Sequence, residues 1–259
     1  MRRQWISISY LSEGNGPTVL CLHGLGLSSE SFKPQIHELS DEFNIVAWNM
    51  PNLGATSSKA MNFNNLAKSG FQLLDSLDIK SCHVVGHSMG GMIALEMALI
   101  NPDQIKSISL LGATSAFGGK DDSFKNSFLS SRLRPLSEGH TMKEVAQYNV
   151  PLMFSEDANQ EYITRSIEAM GKISANEYRL ALECLTTFNR RTEISFIEQP
   201  CCLIAASLDQ AAPARTMKKM SKKIKNSSYH LIDNCGHMMQ LDKPEKINTI
   251  IKAFLKGLT

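Results

Sequence analysis

Short apolar runs that alternate with helix-like stretches constrain this chain more than any other feature. Residues 17–22, 43–48, 81–85, 105–111, 202–206 and 229–232 are rich in Val, Ile, Leu and Cys. Runs that stay apolar at consecutive positions fit strands buried on both faces, as in a parallel sheet. Residues 4–10 alternate instead and read as a first strand. Between the runs, apolar residues fall at helical spacing. Leu66, Leu73, Leu74 and Leu77 mark one helix. Ile93, Met97 and Ile100 mark another, with Pro102 just past its end. Ile247, Ile250, Ile251, Phe254, Leu255 and Leu258 share one face of the last. Strands and helices in alternation predict an α/β fold, with a mostly parallel central sheet flanked by helices. The alternation stops over residues 115–197. Four helices are expected there, near 121–132, 141–149, 157–170 and 175–188. The expected organisation is a core of residues 1–114 and 198–259 interrupted by a helical insertion, 115–197.

Composition excludes several function classes. The formal net charge of +2 is too small to point to nucleic acid or an anionic membrane as partner. The densest basic run holds Lys218, Lys219, Lys222, Lys223 and Lys225. Met217, Met220 and Ile224 recur beside them, so the run reads as an amphipathic helix with its lysines in water. No apolar stretch approaches the ~18 residues of a membrane span. Residues 1–10 do not read as an export leader, so a cytoplasmic protein is expected, as monomer or homodimer. The six cysteines lack paired CxxC spacing, which argues against a zinc site. They read as small core residues, with Cys201 and Cys202 on opposite faces of a strand. Cys235, two residues before His237, stands where an oxidation-sensitive thiol could act.

Gly86-His87-Ser88-Met89-Gly90 is the sharpest chemical signal. A G-x-S-x-G turn between strand and helix strains the serine backbone and projects its hydroxyl above the sheet, with small residues where strand and helix meet. The strand-like 82–85 precedes it and a helix-like run follows, which is the setting the motif requires. A serine hydroxyl needs a base within hydrogen-bond reach and a third group to orient that base. The order serine, acid, histidine is expected on this framework. Asp209 follows the strand over 202–206, and His237 follows the last strand, within Asn234-Cys235-Gly236-His237. Asp233 is a rival acid, but it lies four residues from His237 on the strand leading to it. His83 lies in the strand before the serine, and His87 flanks it but is constrained by the turn; His37, His140 and His230 lack a strand-end setting. The expected roles are Ser88 as nucleophile, His237 as base and Asp209 as orienting acid. Oxyanion donors are expected at the Met89 amide and at Leu25, in the His23-Gly24-Leu25-Gly26 loop.

These ordered landmarks resemble the α/β-hydrolase superfamily, and small bacterial esterases and 3-oxoadipate enol-lactonases in particular. The closing segment from Gly236-His237 to Asp242-Lys243-Pro244-Glu245 resembles theirs as well. Asn49 stands where the family usually has Asp, in a longer loop over 49–57. The resemblance implies an α/β-hydrolase fold with a helical cap inserted after the sixth strand, over the active site. It implies hydrolysis of small or medium esters or lactones through an acyl-enzyme, with no metal or organic cofactor. An aspartate nucleophile is absent at position 88, which disfavours dehalogenase chemistry. Hydrolysis of C–C bonds, peracid formation, cofactor-independent dioxygenation, and a non-enzymatic ligand receptor or interaction module remain open. His23 and, from the insertion, Phe117, Phe124, Phe128, Met142, Met153 and Phe154 are the candidate substrate contacts. Leu133, Met170 and Phe188 are also available there.

Overall fold

A computed structural model describes residues 8–51, 60–118 and 122–258. The chain runs through β1 (Tyr10–Glu13), β2 (Thr18–Leu22), α1 (Lys33–Leu39), β3 (Asn44–Trp48), α2 (Phe63–Ser76), β4 (Cys82–His87), α3 (Met89–Ile100) and β5 (Ile105–Leu111). Four helices follow: α4 (Asp122–Ser137), α5 (Met142–Asn149), α6 (Gln160–Gly171) and α7 (Ala175–Leu185). The sheet resumes with β6 (Cys201–Ala206), α8 (Ala214–Ser221) and β7 (Ser227–Ile232), then α9 (Met239–Asp242) and α10 (Pro244–Lys256). The strands lie in the order β1-β3-β2-β4-β5-β6-β7. All neighbours are parallel except β1, which runs antiparallel along β3.

Side chains alternate across the sheet and feed two cores. Leu20, Leu22, Val46, Trp48, Val84 and Leu203 point to one face, against α2, α3 and α8. Val19, Cys21, Ile45, Ala47, Cys202 and Ile204 point to the other, against α1 and α10. Cys201 and Cys202 thus face opposite cores, and all six thiols are free. In and beyond α8, Met217, Met220 and Ile224 are buried, with the lysines outward. A third cluster, built by α5, α6 and α7 with Met238 and Leu241, seats the insertion on the segment after β7. The ends of the insertion are tied together: Phe117 N–H donates to Phe188 at 2.8 Å and Arg190 N–H to Ser115 at 2.7 Å. Among the described residues, no helix is long and apolar enough to cross a membrane.

Three expectations shift. The first strand begins at Tyr10, because antiparallel register with β3 (Tyr10 opposite Trp48, Glu13 opposite Ile45) selects that segment; residues 4–7 of the expected strand lie outside the described residues. The insertion leaves after the fifth of the seven described strands rather than the sixth, because one strand alone precedes β2 among the described residues. Helix α1 was not anticipated. Residues 52–57 of the loop after β3 lie outside the described residues.

Candidate active site

Parallel strands bring their carboxyl ends to one edge, and the loops there hold the chemistry. Pairing of Leu22 with Gly86, His87 with Leu111, Leu111 with Ile204 and Ala206 with Ile232 sets those ends side by side. Ser88, the loop at His23, Asp209 and His237 all follow directly.

Ser88 sits at φ 52°, ψ −119°, a backbone conformation that L-residues rarely adopt. It costs on the order of 1–3 kcal/mol, held by the surrounding fold. The turn is tightest at Gly90, where a methyl group would stand 2.0 Å from the Leu22 carbonyl oxygen. The elbow is anchored by Ser88 N–H donating to Leu111 at 2.9 Å.

The Ser88 hydroxyl lies 2.9 Å from His237 Nε2, and His237 Nδ1 lies 2.8 Å from Asp209 Oδ2. Asp209 Oδ1 accepts the Ala211 and Ala212 amides, each at 2.8 Å. With three donors facing it, the Asp209 carboxylate is acceptor-only and the imidazole Nδ1 carries the proton. The Nε2 lone pair is then left for the Ser88 hydroxyl. Burial alone would raise the Asp209 carboxyl. The His237 ring, the hydrogen bond to it and the two amides outweigh burial and hold it below the usual carboxylate range. Ser88 is half-buried, while His237 and Asp209 are buried. Asp233 is exposed, and the acid hydrogen-bonded to the imidazole is Asp209.

Residues 17–244 match a family model described as the alpha/beta hydrolase fold. The chain belongs to that family. It is 23% identical to the (E)-2-((N-methylformamido)methylene)succinate hydrolase of Acinetobacter baylyi, covering 95% of this chain and 93% of the relative. It is 21% identical to 3-oxoadipate enol-lactonase 1 of the same organism, covering 98% and 94%. Its fold superposes on a thermophilic esterase from Thermogutta terrifontis with a TM-score of 0.86 at 19% identity, covering 97% and 93%.

Beside the serine of this hydrolase runs the His23–Gly26 loop, so close that a methyl group at Gly24 would lie 3.0 Å from Ser88 Cβ. Met89 is the first residue of α3, so its N–H has no carbonyl one turn earlier to meet. Among the described residues, the Leu25 amide likewise has no backbone partner. Two buried histidines brace this region. His23 Nδ1–H donates to Gly24 at 2.8 Å, and Nε2 accepts the Met50 amide at 2.9 Å. Burial pushes its pKa down to about 4. His87 Nε2–H donates to the His237 carbonyl at 2.9 Å. Burial, and then the neighbouring His237, push its pKa down to about 3.

A cavity of about 620 Å³ opens beside this loop. His23, Leu25, Met50, Tyr162, Ile173 and Tyr178 are among its walls. His23 lines it, with both ring nitrogens occupied within the protein. The other candidates are placed elsewhere. Phe117 packs on Phe124 and Phe128, at centroid distances of 5.6 and 4.9 Å. Met142 and Phe154 are buried in the cluster within the insertion, with Phe128 and Met153 packed against it. The reason is geometric: α6 and α7 wall this cavity, whereas those residues sit on α4, on α5, on the turn after it and, for Phe117, ahead of α4. Cys235 is buried, and burial pushes its thiol up to about 12, the range of an inert core cysteine. Among the described residues, no three His, Cys, Asp or Glu side chains are grouped as metal ligands would be.

Proposed function

We propose that the chain is a serine hydrolase acting on small or medium carboxylic esters or lactones, with the helices of residues 115–197 as its cap. The reading rests above all on the hydrogen-bonded series Ser88–His237–Asp209, 2.9 and 2.8 Å, at a strained strand-to-helix turn. As Ser88 Oγ attacks the acyl carbon, its proton passes to His237 Nε2, and Asp209 stabilises the imidazolium that forms. The oxyanion is met by the Met89 and Leu25 amides, helped by the positive end of α3. Collapse of the tetrahedral intermediate releases the alcohol, protonated by His237. Water then attacks the acyl-enzyme with His237 again as base, and the acid leaves. The likeness to a protein named for an enol-lactone supports lactones and esters as the class. The nearby cavity, about 620 Å³, is of the size that holds small ligands.

The test is covalent labelling with a fluorophosphonate together with turnover of short p-nitrophenyl esters. The parent should take one label per chain at Ser88. Ser88→Ala should lose it, with turnover falling by about 10⁴-fold or more. Undiminished turnover in Ser88→Ala would refute the assignment. Profiling the parent on esters, lactones and vinylogous diketones then names the bond cleaved.

A further inference from the structure

We infer that Asp242 is a positioning residue for His237, through hydrogen bonds that tie the histidine loop to the helical insertion. This rests on the reading of Ser88, His237 and Asp209 as the reacting groups. The Asp242 side chain is fully buried at the end of α9. Burying a carboxylate is costly unless donors surround it. Here the donors come from two distant segments. Oδ2 accepts the Gly236 amide at 2.6 Å and the Ser155 amide at 2.9 Å. Oδ1 accepts the Ser155 hydroxyl at 2.5 Å. Gly236 immediately precedes His237, and Ser155 lies between α5 and α6 of the insertion.

The backbone around His237 is gripped from four sides, which gives Asp242 its meaning. The Cys235 carbonyl accepts Leu208 N–H at 2.9 Å, from the loop that carries Asp209. The Gly236 amide goes to Asp242. The His237 carbonyl accepts His87 Nε2–H, and Met238 N–H donates to the Met153 carbonyl at 3.0 Å. Two of these four ties, those through Asp242 and Met153, lead into the insertion. Asp157 adds an outer clasp, accepting Lys243 Nζ at 2.7 Å and Asn234 Nδ2 at 3.1 Å. The insertion therefore shares hydrogen bonds with the loop that sets the imidazole, and Asp242 is where they meet. The consequence is that the rate of the chemical step depends on Asp242 and Ser155, although neither faces the serine.

Three variants test this, with fluorophosphonate labelling of Ser88 and steady-state kinetics on p-nitrophenyl acetate as readouts. Asp242→Ala should lower the labelling rate and kcat by roughly 10- to 100-fold, the range seen when the supporting partners of metal-binding histidines are removed. KM should stay within about twofold, because substrate contacts are untouched. Asp242→Asn should recover most of the rate. Its one carboxamide oxygen can accept both amides while its NH₂ donates to the Ser155 hydroxyl. Ser155→Ala, which removes the hydroxyl shared by Asp242 and Asp157 but keeps the amide bond to Asp242, should be slowed severalfold. The inference falls if Asp242→Ala folds and labels at the parent rate, or if Asp242→Asn is no better than Asp242→Ala. Should Asp242→Ala fail to fold, Ser155→Ala decides, and parent-rate labelling there overturns the inference. Label still taken up by Ser88→Ala would instead sink the reading beneath it, independently of Asp242.

Discussion

A methyl group at Gly90 would meet main-chain atoms alone: the Leu22 carbonyl oxygen at 2.0 Å, its carbon at 2.5 Å and the His23 carbonyl oxygen at 2.7 Å. Backbone at the centre of a sheet cannot yield as a flexible side chain does. Gly90→Ala should therefore destabilise by about 3 kcal/mol, at the upper end for overpacking. It should also slow labelling of Ser88, because the elbow and the His23 loop would be forced apart. A urea titration beside the labelling rate checks both, and an unchanged midpoint would show that the close approach is relieved at no cost. At this scale the sequence was most readable where one residue type meets one steric or chemical need. Gly90, Ser88, Asp209 and His237 each stand directly after a strand or in the turn it feeds. It was least readable where a role depends on a distant partner. Asp242 was visible in the closing Asp-Lys-Pro-Glu segment, but Ser155 comes to it from far along the chain. What holds His23 was equally hidden, because its position in the loop says nothing of Met50, whose amide takes up its Nε2.

Elements show the same division. Parallel strands and long helices were legible because their apolar spacing is set by burial on known faces. Helix α1 escaped, although Phe32, Ile36 and Leu39 are buried at helical spacing, because it has seven residues and Pro34 in its first turn. The packing of α4 to α7 was also out of reach: an apolar helix face must be covered, but periodicity does not say by what. One junction between insertion and core carries a strong prediction. Arg190, just past α7, holds Glu96 of α3 with two bonds, Nε at 2.7 Å and one terminal nitrogen at 2.9 Å. The Glu96 side chain is 3% exposed and that of Arg190 34%. Removing the arginine leaves a buried carboxylate uncompensated, whereas removing both charges leaves none. Arg190→Ala should cost about 3 kcal/mol, the low end for such a pair because the guanidinium keeps contact with water. The double variant Glu96→Leu, Arg190→Met should recover most of that loss. Thermal melts of the three proteins settle it; a double variant as unstable as Arg190→Ala would show that the pair does more than cancel charge.

For the molecule as a whole, three of the buried histidines, His23, His83 and His87, shape the response to acid. Burial pushes His23 down to about 4, His87 down to about 3, and His83, beside Lys106, down to about 4, all from 6.5. The sign follows from linkage. Each ring is neutral in the native state and takes up a proton on unfolding once the pH is below about 6.5. Native stability is therefore complete above that pH and is lost as pH falls toward the folded values, by about 1.4 kcal/mol per ring for each pH unit. Asp209, held below its usual range, adds a loss in the same direction at still lower pH. Against a total stability of about 5–15 kcal/mol, three rings acting together remove a large share of it between about pH 6 and pH 4. His83 allows a clean test, because it lies in β4 away from the serine and its Nδ1 accepts from or donates to the Ser107 hydroxyl at 2.7 Å. In His83→Asn the carboxamide oxygen can stand in for Nδ1 without titrating. Urea midpoints measured from pH 8 to pH 4 should be level above pH 7 and fall steeply below 6.5 in the parent. In His83→Asn the fall should be shallower by about 1.4 kcal/mol per pH unit. A parent profile that stays level down to pH 4 would mean that these rings are protonated in the native state. Protonated His23 could no longer accept the Met50 amide at Nε2, so the bracing of its loop would be wrong.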